Sequence, residues 1–208
     1  RPSINSYMFA NARAISRLAA LAGDQASASR YAAKADDLRR HVEQDLWSPQ
    51  LHHFIDRYKV DNTYVHYWDP VDGRELAGYT PWTFGLVSDA KYAVAWEHVL
   101  NADQLGGPHG LRTVEPGYAH YMQQYRYDEA TGLRECQWNG PVWPFQTTQA
   151  LIGLANLLNT TSQTVITRSD YMSLLKQYTD LHYVDGHPDI QEDYDPATGK
   201  PIVGLPRS

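Results

Sequence analysis

Apolar side chains at Ile4, Met8, Ala12, Ile15, Ala19 and Ala22 fall three or four residues apart, the spacing of one face of an α-helix, and Ser3 or Asn5 is placed to cap its start. Gly23 stops that helix and Asp24 can cap the next, whose stripe runs through Tyr31, Ala35, Leu38, Val42 and Leu46 to Trp47. Two helices so joined make a hairpin, and the pattern returns twice. "GYTPWTFGLV" reads as a helix opened by Pro81, and Asp89 caps "AKYAVAWEHVLN", with Lys91, Glu97 and His98 left largely outward. Pro141 opens a third inner helix, apolar almost all round through "TTQALIGLANLL", and Ser169 or Asp170 starts its amphipathic partner "YMSLLKQYTDLH". About three hairpins, each with a first helix facing inward and a second facing outward, predict an all-α fold of helical pairs stacked around a common core.

With 42% hydrophobic residues in 208, the chain can bury one sizeable core. A net charge of −6 and no basic run argue against nucleic acid or an anionic membrane as partner. No apolar run approaches the roughly 18 residues that a bilayer crossing needs. Cys136 is the single cysteine, so no internal disulfide can form and the compartment stays open. The nine histidines show no metal-ligand spacing, and neither a metal nor another cofactor is expected. Arg1 opens directly on helix-like sequence without an initiator methionine, so the chain is expected to be trimmed, one domain or part of a larger one.

Between the helices run long segments rich in Tyr, His, Asp and Trp. "HHFIDRY" reads as a short strand, and "DPVDG", "DEATG" and "DPATG" each set a Gly four residues after an Asp, which is turn chemistry. A small β-hairpin is predicted in each long loop. Stacked hairpins bring equivalent ends to one side, so the segments around Asn5, Glu75 to Trp82, Glu135 to Trp143 and Gly186 to Gly199 should converge. That face would collect Tyr79, Trp82, Trp138 and Trp143 with Asn5, Glu75, Gln137, Asn139 and Glu192. Carbohydrate wants this mixture, because the C–H faces of a sugar lie on aromatic rings while its hydroxyls need amides and carboxylates. Each residue also has a plainer reading. Trp82 or Trp143 taken alone reads as core, and Glu75 reads equally as a solvated loop acid or a helix N-terminal charge.

"RPSINSYMFANARAISRLAALAGD", "GYTPWTFGL", "CQWNGPVWPFQTTQALIGLANLL" and "IQEDYDPATG" together resemble the six-hairpin (α/α)6 glycoside hydrolases, in particular the family 63 processing α-glucosidases and the mannosylglycerate-hydrolase-like domains. The resemblance covers nearly the whole chain. It implies that residues 1–208 are an incomplete (α/α)6 barrel, the C-terminal part of a catalytic toroid that packs against the remainder of the same barrel. It implies inverting hydrolysis of α-linked glucosides or mannosides, with Glu192 as general base and Trp138, Asn139 and Trp143 lining the sugar subsite. The matching general acid is an aspartate in a loop before the first helix of this chain, so the 208 residues alone are expected to be inactive. Where such enzymes often carry arginine after the first tryptophan, this chain has Asn139. Two other readings compete. A sugar epimerase on the same toroid would use His182 and His187 as proton shuttles, and a non-catalytic carbohydrate-binding domain would need only the aromatic platform.

Overall fold

The computed structural model describes residues 1–202, so the last six residues of the predicted domain 1–208 lie outside the described residues. Helices α1 (Pro2–Leu21) and α2 (Gln25–His41) pack on each other as the first hairpin. The Asp24 carboxylate accepts the Ser27 amide at 2.9 Å, and Arg39, Arg40 and His41 occupy the opposite, negative end of α2. Helix α1 does not face wholly inward as expected. It buries Pro2, Ser6, Phe9 and Ala12 and leaves Ile4, Met8, Ile15 and Leu18 exposed. The stripe read from spacing lies beside the buried one, and only Ala12 belongs to both.

A π-helical turn, Val42–Leu46, leads into β1 (Trp47–Ser48), which pairs antiparallel with β2 (His53–Phe54) inside the predicted "HHFIDRY" strand. The second hairpin departs most from the spacing argument. In place of one helix through Val87 there is a 3₁₀ turn, Leu76–Tyr79, and a single α-turn, α3 (Thr80–Thr83). Phe84 leaves helical geometry and Gly85 follows at φ +65°, the left-handed conformation that ends helices. Its partner, Ala90–Val99, is a 3₁₀ helix. Burial along it repeats every three residues: Tyr92, Ala95 and His98 form one buried row, Ala93, Trp96 and Val99 a second, and Lys91, Glu97 and Leu100 stay outside. Three residues per turn puts two of three rows in the core, where an α-helix would rotate them out. His98, expected outside, therefore lies inside, where its Nδ1 meets Gln104 Oε1 at 2.7 Å.

Helix α4 (Pro144–Thr160) lies across this aromatic centre. A Cβ on Gly153 would sit 3.2 Å from Thr83 N and Tyr79 O, tighter than an ordinary contact, so a side chain there would press the helix off this backbone by a few tenths of an ångström. The Asn156 amide donates to Thr83 O at 3.1 Å and to Trp82 O at 3.0 Å, which also accepts the Gly85 amide, so α4 is fastened to the end of α3. Helix α4 begins three residues later than Pro141 and is not buried all round, since Phe145 and Ile152 are exposed. Helix α5 (Arg168–Leu181) opens with a reciprocal capping box between Thr167 and Asp170. Further two-stranded ladders, β3 (Gly106–Gly107) with β4 (Gly110–Leu111) and β5 (Tyr183–Val184) with β6 (His187–Pro188), sit in the long loops. Two of the three Asp turns form as read: Asp128 Oδ1 accepts the Thr131 amide at 2.7 Å and Asp195 Oδ1 the Ala197 amide at 2.8 Å, whereas Asp69 looks backward, its carboxylate accepting the His66 amide and its carbonyl the Tyr58 amide.

Candidate active site

The segment carrying Glu75 is fixed on every backbone side. Glu75 bridges antiparallel to Val114, and Leu76 N–H donates to Thr113 O at 2.9 Å. Arg74 clamps Glu115 twice, through its backbone amide to Oε1 at 2.9 Å and through Nη1 to Oε2 at 2.7 Å, while its Nε holds Leu51 O. From beneath, His53 Nε2 donates to the Glu75 carbonyl at 2.8 Å. His53 is fully buried and its Nδ1 has no partner among the described residues. Burial, with His98 and Arg74 as lesser positive neighbours, pushes its pKa down to about 3.

That depression has a sign. Below the ordinary value of 6.5 the unfolded chain takes up a proton that the folded protein refuses until about pH 3. Stability present above pH 6.5 is thus lost progressively as pH falls, by up to about 5 kcal/mol from this one ring. Urea unfolding at pH 7 and pH 4.5 checks it. The loss between those two pH values should be about 2 to 3 kcal/mol smaller in His53→Gln, which keeps a donor for Glu75 O and cannot be protonated.

Above this floor opens a cavity of about 230 Å³ lined by Arg1, Ser3, Asp56, Glu75, Ala77, Thr113, Trp138 and Gln146. Asp56 is held by Arg1 Nε at 3.0 Å, and burial raises its pKa. No donor among the described residues reaches the Glu75 carboxyl. Burial first, and the Asp56 charge second, lift its pKa to about 7 against the opposing positive charge at Arg1. One wall is the indole of Trp138, 43% exposed, stacked on Trp143 with centroids 4.3 Å apart and planes 16° from parallel. Trp143 is buried and its Nε1–H is spent on Gln137 O at 2.9 Å, so it backs the platform while Trp138 offers the face.

The glycine of the W-N-G-P-x-W run has a steric reason. Gly140 sits at φ +141°, and a Cβ there would come within 2.7 Å of the Tyr121 ring and 2.8 Å of Met122 Sδ. Its amide donates to Thr113 Oγ1 at 3.0 Å, and that hydroxyl donates to Pro141 O at 2.9 Å. Pro141–Val142 then joins two strands. Thr113 N–H donates to Pro141 O, and Val142 exchanges both backbone hydrogen bonds with Tyr194 at 2.8 and 3.0 Å. This register sets the Glu192–Asp193 stretch alongside Trp143. Electrostatics agree: the Cys136 thiol, two residues before Trp138, is pushed up in pKa by burial and then by the charges of Glu192 and Asp193. Glu192 is exposed, and it stands on the rim beside the tryptophan pair, outside the lining of the Glu75 cavity.

Tyr194 braces that rim. Its hydroxyl accepts the Gln191 amide at 2.8 Å and donates to Asp189 O at 3.1 Å, so the 3.0 Å contact with His182 Nδ1 makes that nitrogen the donor. His182 is thereby committed to the loop, and His187 lies on exposed β6. No three His, Cys, Asp or Glu side chains cluster as a metal site among the described residues.

Four of the expected sugar contacts are corrected by this geometry. Tyr79 and Trp82 are 0% and 1% exposed in the core, with Tyr79 Oη donating to Ala95 O at 2.6 Å, and no ligand can reach them. Gln137 and Asn139 are buried and spent on the neighbouring loop. Gln137 Oε1 accepts the Tyr125 and Arg126 amides and its Nε2 donates to Gln123 O, while Asn139 Nδ2 donates to His120 O and Gln123 O. Asn5 bonds Arg1 O and lines the adjoining grooves with Arg57 and Lys59. Asp56 and Gln146 join the site without having been singled out by sequence reasoning. Gln146 stands in the first turn of α4, directly after the tryptophan run, and that position was its signal.

The family model for the mannosylglycerate hydrolase MGH1-like glycoside hydrolase domain matches residues 1–205. Among solved structures, one titled "Sialidase" superposes with a TM-score of 0.82 at 35% identity, over 96% of this chain and 17% of that one. The GH63 mannosylglycerate hydrolase from Thermus thermophilus, solved with glucose, gives 0.68 at 18% identity, over 98% of this chain and 43% of that one. An uncharacterized conserved protein from the same organism gives 0.67 at 18%, over 98% and 42%. The chain thus spans less than half the length of each. No curated protein matches it.

Proposed function

The chain belongs to the family of mannosylglycerate hydrolase MGH1-like glycoside hydrolase domains, and from that membership we propose an inverting glycosidase acting on α-linked glucosides or mannosides, with Glu192 as general base. The sugar lies against the open face of Trp138, backed by Trp143, and Glu75 faces it across the cavity. The observation that carries the reading is the Val142–Tyr194 pairing, which keeps a solvent-facing carboxylate beside an aromatic platform. A base must reach water, and exposed Glu192 does. The leaving oxygen is protonated by a carboxyl from the remainder of the barrel, across the roughly 6.5 to 9.5 Å that accommodates a water in inverting enzymes. The exposed apolar stripe of α1, from Ile4 to Leu18, is the surface which that remainder covers.

A hydrolysis screen of the full-length protein on α-glucosides and α-mannosides, with the first-formed anomer followed by NMR, tests this. Inversion predicts that the β anomer of the released sugar appears first. Release of the α anomer first, or cleavage of none of these α-linked substrates, would remove the assignment.

A further inference from the structure

We propose that Asp56 and Glu75 form a paired carboxyl grip in which Glu75, carrying its proton, donates to one hydroxyl of the bound sugar while Asp56 accepts from its neighbour. The inference rests on the glycosidase reading and adds to it a residue, a protonation state and a preference for substrates with two adjacent free hydroxyls.

The cavity itself is the first argument. At about 230 Å³ it is smaller than a drug-sized site and suits one sugar ring. Its apolar wall is the Trp138 face, and its polar groups converge from four separate stretches of chain: Asp56 after β2, Glu75 before the 3₁₀ turn, Thr113, and Gln146 on α4. Thr113 has its hydroxyl spent on Pro141 and Gly140. Asp56 keeps one oxygen clear of its bond to Arg1 Nε. Glu75 has both oxygens without a donor among the described residues, although its backbone is pinned by His53, Thr113 and Val114. Such rigid backbone support for a half-buried carboxyl left unpaired is how a site holds a group ready for a ligand, since an unmet buried polar group costs stability.

The charges facing Glu75 decide its state. Asp56 stands opposite and disfavours a second negative charge, the positive charge at Arg1 favours it, and Tyr118 feels the Glu75 charge from the next loop. Arg74 turns away to Glu115, and His53 beneath is neutral. Burial and Asp56 prevail, and Glu75 is half protonated at about pH 7. A neutral carboxyl beside an ionised one offers a donor and an acceptor side by side, which matches vicinal hydroxyls. Its folded pKa lies above the ordinary 4.5, so the stability present below 4.5 is lost progressively as pH rises from about 4.5 to 7 and falls no further above that.

Titration calorimetry on the full-length protein with methyl α-D-mannopyranoside and methyl α-D-glucopyranoside, at pH 6 and pH 8.5, tests the grip. For the glycoside bound, wild-type affinity should fall at least about tenfold between the two, because the competent fraction falls with Glu75 protonation. In Glu75→Gln, whose amide is a permanent donor, the pH dependence of binding should vanish, and so should the part of the Tm change between about pH 4.5 and 7 that comes from this carboxyl. Asp56→Asn should weaken binding at least about fivefold at both pH values. Affinity indifferent to pH in the wild type, or equally pH-dependent in Glu75→Gln, overturns the grip while cleavage of glycosides leaves the enzyme reading standing. If no glycoside is cleaved and neither sugar binds, both fall together.

Discussion

Glu192→Gln in the full-length protein should lower kcat by roughly 10³-fold or more, at the upper end of what a lost general base costs, while sugar affinity stays within a few fold of wild type. Glutamine has the same shape and no basic lone pair at neutral pH, so only proton removal from the attacking water is lost. The rim should not move, because its shape is kept by other groups: the two Val142–Tyr194 hydrogen bonds, the Tyr194 hydroxyl on the Gln191 amide and Asp189 carbonyl, and His182 behind it. Steady-state kinetics on the best substrate of the screen, with calorimetry for the bound sugar, separates the effects. A variant retaining more than about a tenth of wild-type kcat would place the base elsewhere. A variant that loses affinity and turnover equally would make Glu192 a binding residue.

The same rim shows what could be read from the sequence and what could not. The α1 and α2 hairpin, the α5 cap and the Asp turns are local events. Each is decided by residues within four or five positions: "LAGDQAS" states the first junction outright, while at "TRSD" the reading started the helix at Ser169 or Asp170, and the cap is Thr167 with Asp170 as its reciprocal partner. The second hairpin differs because tertiary packing chose a three-residue repeat for 90–99, and at the level of hydrophobic spacing "AKYAVAWEHV" serves either period. At the site, Trp138 and Glu75 are legible as types that carbohydrate wants, and the W-N-G-P-x-W run marks the right place. Tyr79 and Trp82 have the same chemistry as Trp138. Only burial against α4 and Ala90–Val99 separates core from platform, and no residue type encodes that. Gln137 and Asn139 mislead for a related reason. A polar side chain close to an expected site looks available until the loop that consumes its hydrogen bonds, here 120–126, is in view. Asp56 escapes notice because "HHFIDRY" reads as a strand, and only the pairing of that strand with 69–71, through the Val71 amide on Asp56 O and the Arg57–Pro70 bridge, brings it near the segment that carries Glu75.

Arg112→Met should destabilise the protein by at least about 3 kcal/mol, more than a typical surface or single-contact substitution. Arg112 is nearly buried, and no carboxylate pairs with it among the described residues. Its Nη1 instead gathers three carbonyls, Ala102 O at 2.7 Å, Gln104 O at 3.0 Å and Gly106 O, while Nε donates to Tyr121 Oη at 3.0 Å. Methionine fills the space of the stem and leaves those acceptors unmet in a region water does not readily enter. The effect should reach the site, because the next residues, Thr113 to Glu115, hold Glu75 on one side and Pro141 on the other. Arg112→Lys keeps the charge and three donors, yet a single ammonium cannot serve both the carbonyl cluster and Tyr121, so it should recover about half of the loss. Urea unfolding of the three proteins measures the order. If Arg112→Met unfolds at the wild-type midpoint, the guanidinium is not what fastens the 101–107 loop to the strand beside Glu75, and the rigidity claimed for that carboxyl would have to come from the Arg74–Glu115 clamp and His53 alone.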